Sequence, residues 1–157
     1  MNNDVSSNIE HQLKEQGYYV STTVGWSMYP MLRNRRDRIV VLPKGDERLK
    51  KLDLPLYLRP DGKYILHRII GVKDDHYVIR GDNTYVKEYI PEDWIIGYVS
   101  EFYREDRHVL SSSKRYRLYA AVWNFIYPVR RFYMLLRGFA RRCLNKLGSM
   151  FSGNKKQ

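Results

Sequence analysis

The sequence predicts a mainly β, antiparallel domain with a short helix before it and a long helix after it. Short runs rich in Val, Ile and Tyr alternate with Gly, Pro, Asp and Asn turns between Tyr18 and Val99. Strands punctuated this closely are typical of an antiparallel β domain. An apolar fraction of 43% is enough for a core, and 157 residues favour one domain with appendages.

The N-terminal residues 1–17 are predicted to form a short helix and tail, in which Ile9 and Leu13 give a narrow apolar edge. The β domain is expected to span residues 18–110. Pro55 should place its strand towards a sheet edge, because proline cannot donate a ladder hydrogen bond. The predicted strands are Tyr18–Val24, Ile39–Leu42, Leu54–Leu58, Tyr64–Val72, Tyr77–Arg80 and Trp94–Val99.

The serines at 111–113 are predicted to be a linker, and residues 114–148 a basic amphipathic helix that Pro128 can kink or divide. A polar tail follows at 149–157. Apolar residues recur every three or four positions along the helix, and basic residues occupy the other side. The apolar positions are Leu118, Val122, Phe125, Val129, Phe132, Leu136, Phe139, Cys143 and Leu147.

The chain has a formal net charge of +11, which favours an anionic partner such as a membrane surface, nucleic acid or acidic peptide. The predicted C-terminal helix pairs a basic side with a wide apolar arc, and this pattern favours an anionic membrane surface. Its alternative is packing of the apolar arc on the β domain or on another protein. No nucleic-acid-binding module is recognisable, so the sequence disfavours nucleic acid.

The sequence gives three indications of location. The first residues lack the basic and apolar regions of a secretory signal, and no run of 18 apolar residues predicts a spanning helix. The only cysteine, Cys143, permits no internal disulfide and fits a reducing compartment. We therefore expect a cytoplasmic protein that is peripheral at the membrane.

A serine, a histidine and a carboxylate each stand beside a strand or turn. Ser27 lies in Gly25–Pro30, whose glycine and proline predict a rigid bend that holds a hydroxyl in place. The hydroxyl needs a base, and His67 lies among apolar strand residues that would keep its imidazole neutral. Asp82 could orient that base. The alternatives are a structural serine, a half-buried strand histidine and an ordinary turn.

The motifs are Gly-x-Ser-Met-x-Pro at 25–30, His-Arg-Ile at 67–69 and Gly-Asp-Asn at 81–83. In this order they resemble the signal peptidase I family and its relatives, the self-cleaving SOS-response repressors. The histidine before Arg-Ile is similar to the endoplasmic-reticulum and archaeal branch, which pairs Ser with His. The resemblance covers about Tyr18 to Phe102.

The resemblance implies the signal-peptidase kind of antiparallel β fold and a serine endopeptidase that removes a leader or signal peptide from a precursor. It implies Ser27 as nucleophile, with its own amide in the oxyanion hole, and His67 as general base. It also implies an extended peptide substrate, with small residues just before the cut, and no cofactor. No set of His, Cys and carboxylates has metal-ligand spacing.

The acid that orients His67 has two candidates. Asp82 in the Gly-Asp-Asn motif is named first, although this tripeptide is also a common turn. The Ser-His branch has a second acid about six residues further on, and Glu88 stands near that place. Both acids are therefore kept as candidates.

The family usually has an N-terminal membrane anchor, which this sequence is not expected to form. We therefore expect a leader or precursor processor on the cytoplasmic side of a membrane. The alternative is a peptidase-like module that binds peptides or regulates a partner without cutting them. A self-cleaving repressor is disfavoured, because no DNA-binding domain precedes the β domain and no Ala-Gly or Cys-Gly dipeptide is present.

Overall fold

The computed structural model describes residues 3–138, with side chains from Ile9 onward. The chain divides into two compact units, Met1–Asn124 and Phe125–Gln157. Of the residues that the structure describes, the first unit contains all the strands, the helix α1 (Asn3–Gln16) and nearly all of the helix α2 (Lys114–Phe125). No helix among the described residues is long and apolar enough to cross a membrane.

The first unit contains two antiparallel sheets, which confirms the mainly antiparallel β prediction. The larger sheet has the order β1-β2-β8-β3-β4, with β9 paired to β8, and the smaller has the order β5-β6-β7. A short 3-10 helix, Glu92–Trp94, leads into β8. The strands are β1 (Tyr19–Thr22), β2 (Arg38–Pro43), β3 (Pro55–Leu58), β4 (Tyr64–Leu66), β5 (Arg68–Val72), β6 (His76–Arg80), β7 (Glu88–Pro91), β8 (Ile95–Arg104) and β9 (Arg107–Leu110).

Both helices pack on the larger sheet. Ile9 and Leu13 of α1 and Tyr116 and Ala120 of α2 are buried in one core cluster with strand and loop residues. Burying the side chains of Ile9 and Leu13 stabilises the fold by about 1.5–3 kcal/mol each. A second cluster lies under the smaller sheet and contains Tyr57, Ile69, Tyr77, Ile79 and Ile90.

The predicted strand Tyr64–Val72 is broken at His67, because its two halves join different sheets. His67 therefore lies where the chain crosses from one sheet to the other. The sequence prediction also misplaced Pro55. It begins β3, which pairs with β8 on one side and β4 on the other. The first position of an inner strand tolerates proline. Strands β7 and β9 were not predicted.

The predicted boundary after Ser113 differs from the structure. Ser113 caps α2, since its Oγ accepts a hydrogen bond from the Tyr116 amide at 3.4 Å. Helix α2 belongs to the unit that ends at Asn124, so 111–113 is a capped turn and not a linker.

The single helix predicted for 114–148 is also interrupted. Helix α2 ends at Phe125, residue 126 is a turn, and residues 127–138 are helical again. Pro128 accounts for the break, because it has no amide hydrogen and its ring clashes with a carbonyl of the preceding turn. The remainder of the predicted helix and the tail predicted at 149–157 lie outside the described residues.

Candidate active site

Ser27 lies in a loop that several contacts hold between β1 and β2. Gly25 adopts a φ of +103°, and its amide donates to Asn34 Oδ1 at 2.9 Å. Such a φ favours glycine, because a Cβ would be strained there. Met28 is buried in the core, and its carbonyl accepts a hydrogen bond from the Leu32 amide at 2.9 Å. The loop is therefore an anchored bend that leaves Ser27 half-exposed.

His67 is buried between β4 and β5, with 8% of its surface exposed. The ring of Tyr57 packs edge-on against the imidazole, with the ring centroids 6.4 Å apart. Burial lowers the pKa of His67 below its ordinary value of 6.5, although the charge of Glu88 opposes this shift. The imidazole is therefore neutral near pH 7, as a general base must be.

The carboxylate of Glu88 contacts His67 from the first residue of β7. Its Oε1 lies 3.1 Å from His67 Nδ1. Its Oε2 accepts hydrogen bonds from the Tyr57 hydroxyl and from Arg59 Nε, both at 2.9 Å. Burial alone would raise the pKa of Glu88, but these hydrogen bonds outweigh it and hold the pKa below its ordinary value. Glu88 is therefore ionised beside a neutral histidine.

These contacts favour one tautomer of His67. The Tyr57 hydroxyl donates its hydrogen to Glu88, so towards Nδ1, at 3.4 Å, it can only accept. Nδ1 thus faces two acceptors and carries the proton. Nε2 on the opposite edge of the ring keeps its lone pair and is the atom that can act as a base.

Gly81 brings the histidine and the serine loop together. A Cβ built on Gly81 would lie 3.0 Å from His67 Nε2 and 2.8 Å from the Ser27 carbonyl oxygen. The distance to the Ser27 carbonyl oxygen is too short for a side chain and the distance to Nε2 is tight, so Nε2 and the backbone of Ser27 flank the same bare Cα. The glycine of the Gly-Asp-Asn motif therefore gives the base access to the serine loop.

Asn83 fastens the same turn to the serine loop. Its amide donates to the Ser27 carbonyl at 2.7 Å, and its Nδ2 donates to the Trp26 carbonyl at 3.1 Å. These bonds join the turn that follows β6 to the loop that follows β1. Gly81 and Asn83 thus fix the Ser27 backbone relative to His67.

Asp82, the acid named first as the orienting residue, contacts Arg68. Its carboxylate forms a bidentate pair with Arg68, with distances of 2.8 Å to Nε and 2.7 Å to Nη2, and both side chains are buried. Glu88, the alternative, is the acid placed on His67 Nδ1. The geometry therefore favours Glu88 as the group that orients the base and gives Asp82 a structural role.

The Arg68–Asp82 pair extends to α2 and the serine loop. Arg68 Nη1 donates to the Tyr116 hydroxyl at 2.8 Å, and Arg68 Nη2 lies 2.9 Å from Met31 Sδ. The Asp82 hydrogen bond raises the pKa of Arg68 despite a large opposing effect of burial. Helix α2 therefore supports the residue that follows His67 in the chain.

A pocket of about 240 Å³ contains both Ser27 and His67. Strands β1 and β4 are the two ends of the larger sheet in strand order, yet both line this pocket. The sheet must therefore curl so that its two edges face each other across it. Most of the remaining wall is apolar, with Ile9, Met28, Ile39 and Leu56.

The sequence did not single out Tyr57, Arg59, Asn83 or Tyr116 for these roles. Asn83 was noted only as part of a motif. The others contact residues far along the chain, and single positions in β3 or α2 carry no local signal of such partners. Within the described residues, no three His, Cys, Asp or Glu side chains converge in an arrangement that could hold a metal ion.

Two comparisons with known proteins gave no match. No family model matches the chain, and no curated protein sequence matches it significantly. The interpretation of the site therefore rests on the motifs and the contacts described above.

If His67 is the general base of a peptidase, replacing Glu88 by Gln is expected to lower kcat/KM for peptide cleavage by on the order of 100-fold or more, because the base loses the charge that orients it and stabilises its protonated form. The wild-type rate should fall as pH drops through the pKa of His67, which lies below 6.5. Since Glu88 raises that pKa, the acid limb of the variant's pH–rate profile should move to lower pH. Peptide cleavage measured from pH 4.5 to 8 checks both effects.

Glu92→Gln is the matched control, because Glu92 pairs with Lys44 and Arg48 and does not line the pocket. Its profile should equal that of the wild type. An acid limb that stays in place in Glu88→Gln would show that Glu88 does not act on His67.

Proposed function

We propose that this protein is a serine endopeptidase of the signal peptidase type, which removes a leader or signal peptide from a precursor. The observation that carries the proposal is the arrangement around His67. Its Nδ1 contacts the ionised Glu88, while its Nε2 flanks the same glycine as the backbone of Ser27. A buried base with one nitrogen oriented and the other beside a serine is the constellation that nucleophilic catalysis requires.

In the proposed reaction, Ser27 Oγ attacks the scissile carbonyl while His67 Nε2 takes the hydroxyl proton. The tetrahedral oxyanion is stabilised by backbone amides near Ser27, its own included, each of which contributes about 3 kcal/mol. The C–N bond then breaks as His67 protonates the leaving amine, leaving an acyl-enzyme. A water gives its proton to His67 and attacks the ester carbonyl; the ester C–O bond then breaks as His67 returns the proton to Ser27 Oγ, which frees the serine. Glu88 stabilises the imidazolium of His67 in both acylation and deacylation.

The fold supports the same proposal. The described chain has an antiparallel β unit with a short N-terminal helix, and its serine follows the first strand. The histidine lies at the crossing between sheets, and the Gly-Asp-Asn turn binds the serine loop. The three motifs of the resemblance are therefore close together in space, which supports the proposal.

The pocket favours an extended peptide as substrate. The edge strands β1 and β4 both line it, and an edge strand offers unpaired backbone groups to which a peptide can add as a further strand. The pocket volume is about 240 Å³, which leaves room only for small substrate side chains next to Ser27. We propose that small apolar residues precede the cut.

A peptide library tests this function. Full-length protein incubated with a library of extended 14-residue peptides should release fragments whose new C-termini are enriched in Ala, Gly and Ser, as read by mass spectrometry. Ser27→Ala should give no fragments. Peptides that bind saturably without being cut would instead favour the non-cleaving module, and fragments that persist in Ser27→Ala would contradict the assignment.

We also propose that the C-terminal part docks on an anionic membrane surface from the cytoplasmic side. In the helical residues 127–138, Val129, Phe132 and Leu136 lie on one face and are 74%, 70% and 54% exposed. Arg131 and Arg137 are exposed on the same segment. An exposed apolar face beside arginines suits the interface of an anionic bilayer.

Val129→Asp with Phe132→Asp is expected to weaken binding to vesicles with 30% phosphatidylglycerol by about tenfold or more, because the variant adds charge to the inserted face. Wild-type binding should weaken as salt rises, since the attraction is screened over about 10 Å at 0.1 M. Val72→Asp with Val86→Asp is the control, because these exposed valines lie outside the helix. Equal losses in both variants in a sedimentation assay would contradict docking through this face.

A further inference from the structure

A second, larger cavity lies between the β8–β9 hairpin and the start of α2. We call it the hairpin groove, and its volume is about 930 Å³. Basic side chains form its rim and apolar or aromatic side chains form its floor and walls. The rim contains Arg104, Arg107, His108 and Arg115, and the remainder includes Met31, Phe102, Val109, Leu110, Tyr116 and Tyr119.

The floor of the hairpin groove is rigid. Tyr116 packs edge-on against Phe102, with ring centroids 5.4 Å apart, and its hydroxyl lies 3.2 Å from Met31 Sδ. Arg68 donates to the same hydroxyl from below. A ligand would therefore meet a surface that is already formed, which reduces the entropy lost on binding.

The arginines of the rim outnumber the nearby carboxylates that are free to pair with them. Arg104 and Arg107 are directly opposite each other across the hairpin, an arrangement that like charges disfavour. The carboxylate nearest Arg104 is Asp37, at 3.7 Å, and Asp37 is already held by Arg33 at 2.6 Å.

Two of the other carboxylates near the hairpin groove are occupied, whereas Asp106 in the hairpin turn forms no ion pair among the described residues. Glu105 binds Arg33 and Arg36, and Glu101 binds His108. In the part of the chain that the structure describes, the side chains of Arg107 and Arg115 form no ion pair. The rim therefore has arginines available for an anion.

We propose that the hairpin groove binds an anionic phospholipid. Arg104, Arg107 and Arg115 hold the headgroup phosphate, because guanidinium groups suit phosphate geometry. The glycerol and the first acyl carbons pack on the apolar and aromatic wall of Val109 and Tyr119. This wall favours a lipid over free phosphate, and the volume lies within the range of small-molecule sites. The site shares neither Ser27 nor His67, so it does not depend on the proposed peptidase activity.

The test uses a monomeric lipid so that vesicle docking by the C-terminal helix cannot contribute. Dihexanoyl phosphatidylglycerol, kept below its micelle concentration, is titrated into full-length protein by calorimetry. We expect saturable binding with one lipid per chain. Arg107→Glu with Arg115→Glu should weaken it by at least about tenfold, equal to about 1.4 kcal/mol. Lys14→Glu with Lys73→Glu changes net charge equally at exposed positions and should stay within about twofold.

Three comparison titrations identify the ligand. Inorganic phosphate and dihexanoyl phosphatidylcholine should each bind at least about tenfold more weakly than the anionic lipid, and an acidic hexapeptide should not compete with it. Equal affinity for phosphate would overturn the lipid assignment in favour of a simple anion site. Equal losses of lipid affinity in the two charge-reversal variants would show that net charge, and not the hairpin groove, causes the binding. Arg107→Gln with Arg115→Gln repeats the test if the Glu variant does not fold.

Discussion

Ser27→Ala is expected to lower peptide cleavage by on the order of 10⁴-fold or more, because the proposed covalent path is lost with the hydroxyl. His67→Gln should cause a similar loss, since His67 is the base that the proposal assigns to the serine proton and the other described residues of the pocket offer no imidazole or carboxylate. The two losses should not add, because the residues act as a unit. Steady-state kinetics on a peptide selected from the library measures each variant and the double variant.

The stability of Ser27→Ala should stay within about 1 kcal/mol of the wild type, because Ser27 is a half-exposed loop residue. Ser112→Ala is the matched control, an exposed serine outside the pocket, and it should keep full activity. Cleavage at the wild-type rate by either Ser27→Ala or His67→Gln would show that the Ser-His assignment is wrong.

Asp82→Ala is expected to destabilise the fold by about 3–5 kcal/mol, because it leaves the buried Arg68 without its carboxylate partner. The loss of stability should affect both the Gly81–Asn83 turn and α2, because Arg68 also donates a hydrogen bond to Tyr116 of α2. Urea denaturation at pH 7 measures the free energy of unfolding. Peptide cleavage should decrease only because less of the variant is folded and because the Gly81–Asn83 turn is distorted.

The double variant Arg68→Met with Asp82→Leu is the informative control. Apolar residues of similar volume remove both charges together, so the double variant should be more stable than Asp82→Ala. Asp61→Ala removes an exposed pair with Lys63 and should have no measurable effect. If Asp82→Ala unfolds like the wild type yet loses cleavage as severely as His67→Gln, Asp82 orients the base and Glu88 does not.

Asp82 and Glu88 could not be distinguished from the sequence as partners of His67. Asp82 follows β6 and Glu88 begins β7, and either could be named as the partner of His67 from spacing alone. The choice depends on the opposite directions in which the adjacent side chains of His67 and Arg68 point. Arg68 points towards Tyr116 and takes Asp82, whereas His67 points towards Tyr57 and meets Glu88.

The sequence by itself determined the antiparallel β class, the place of Ser27 after the first strand, and the spacing of the apolar residues along 127–138. These features depend on local turn chemistry and periodicity, which neighbouring residues record. The tertiary structure alone decided three others: the crossing at His67, the contact of Glu88 with His67 Nδ1 and the inclusion of most of α2 in the first unit. Each depends on pairs of residues far apart in the chain, such as Tyr57 with Glu88 and Arg68 with Tyr116, and only the packing of sheets and helices brings such pairs together.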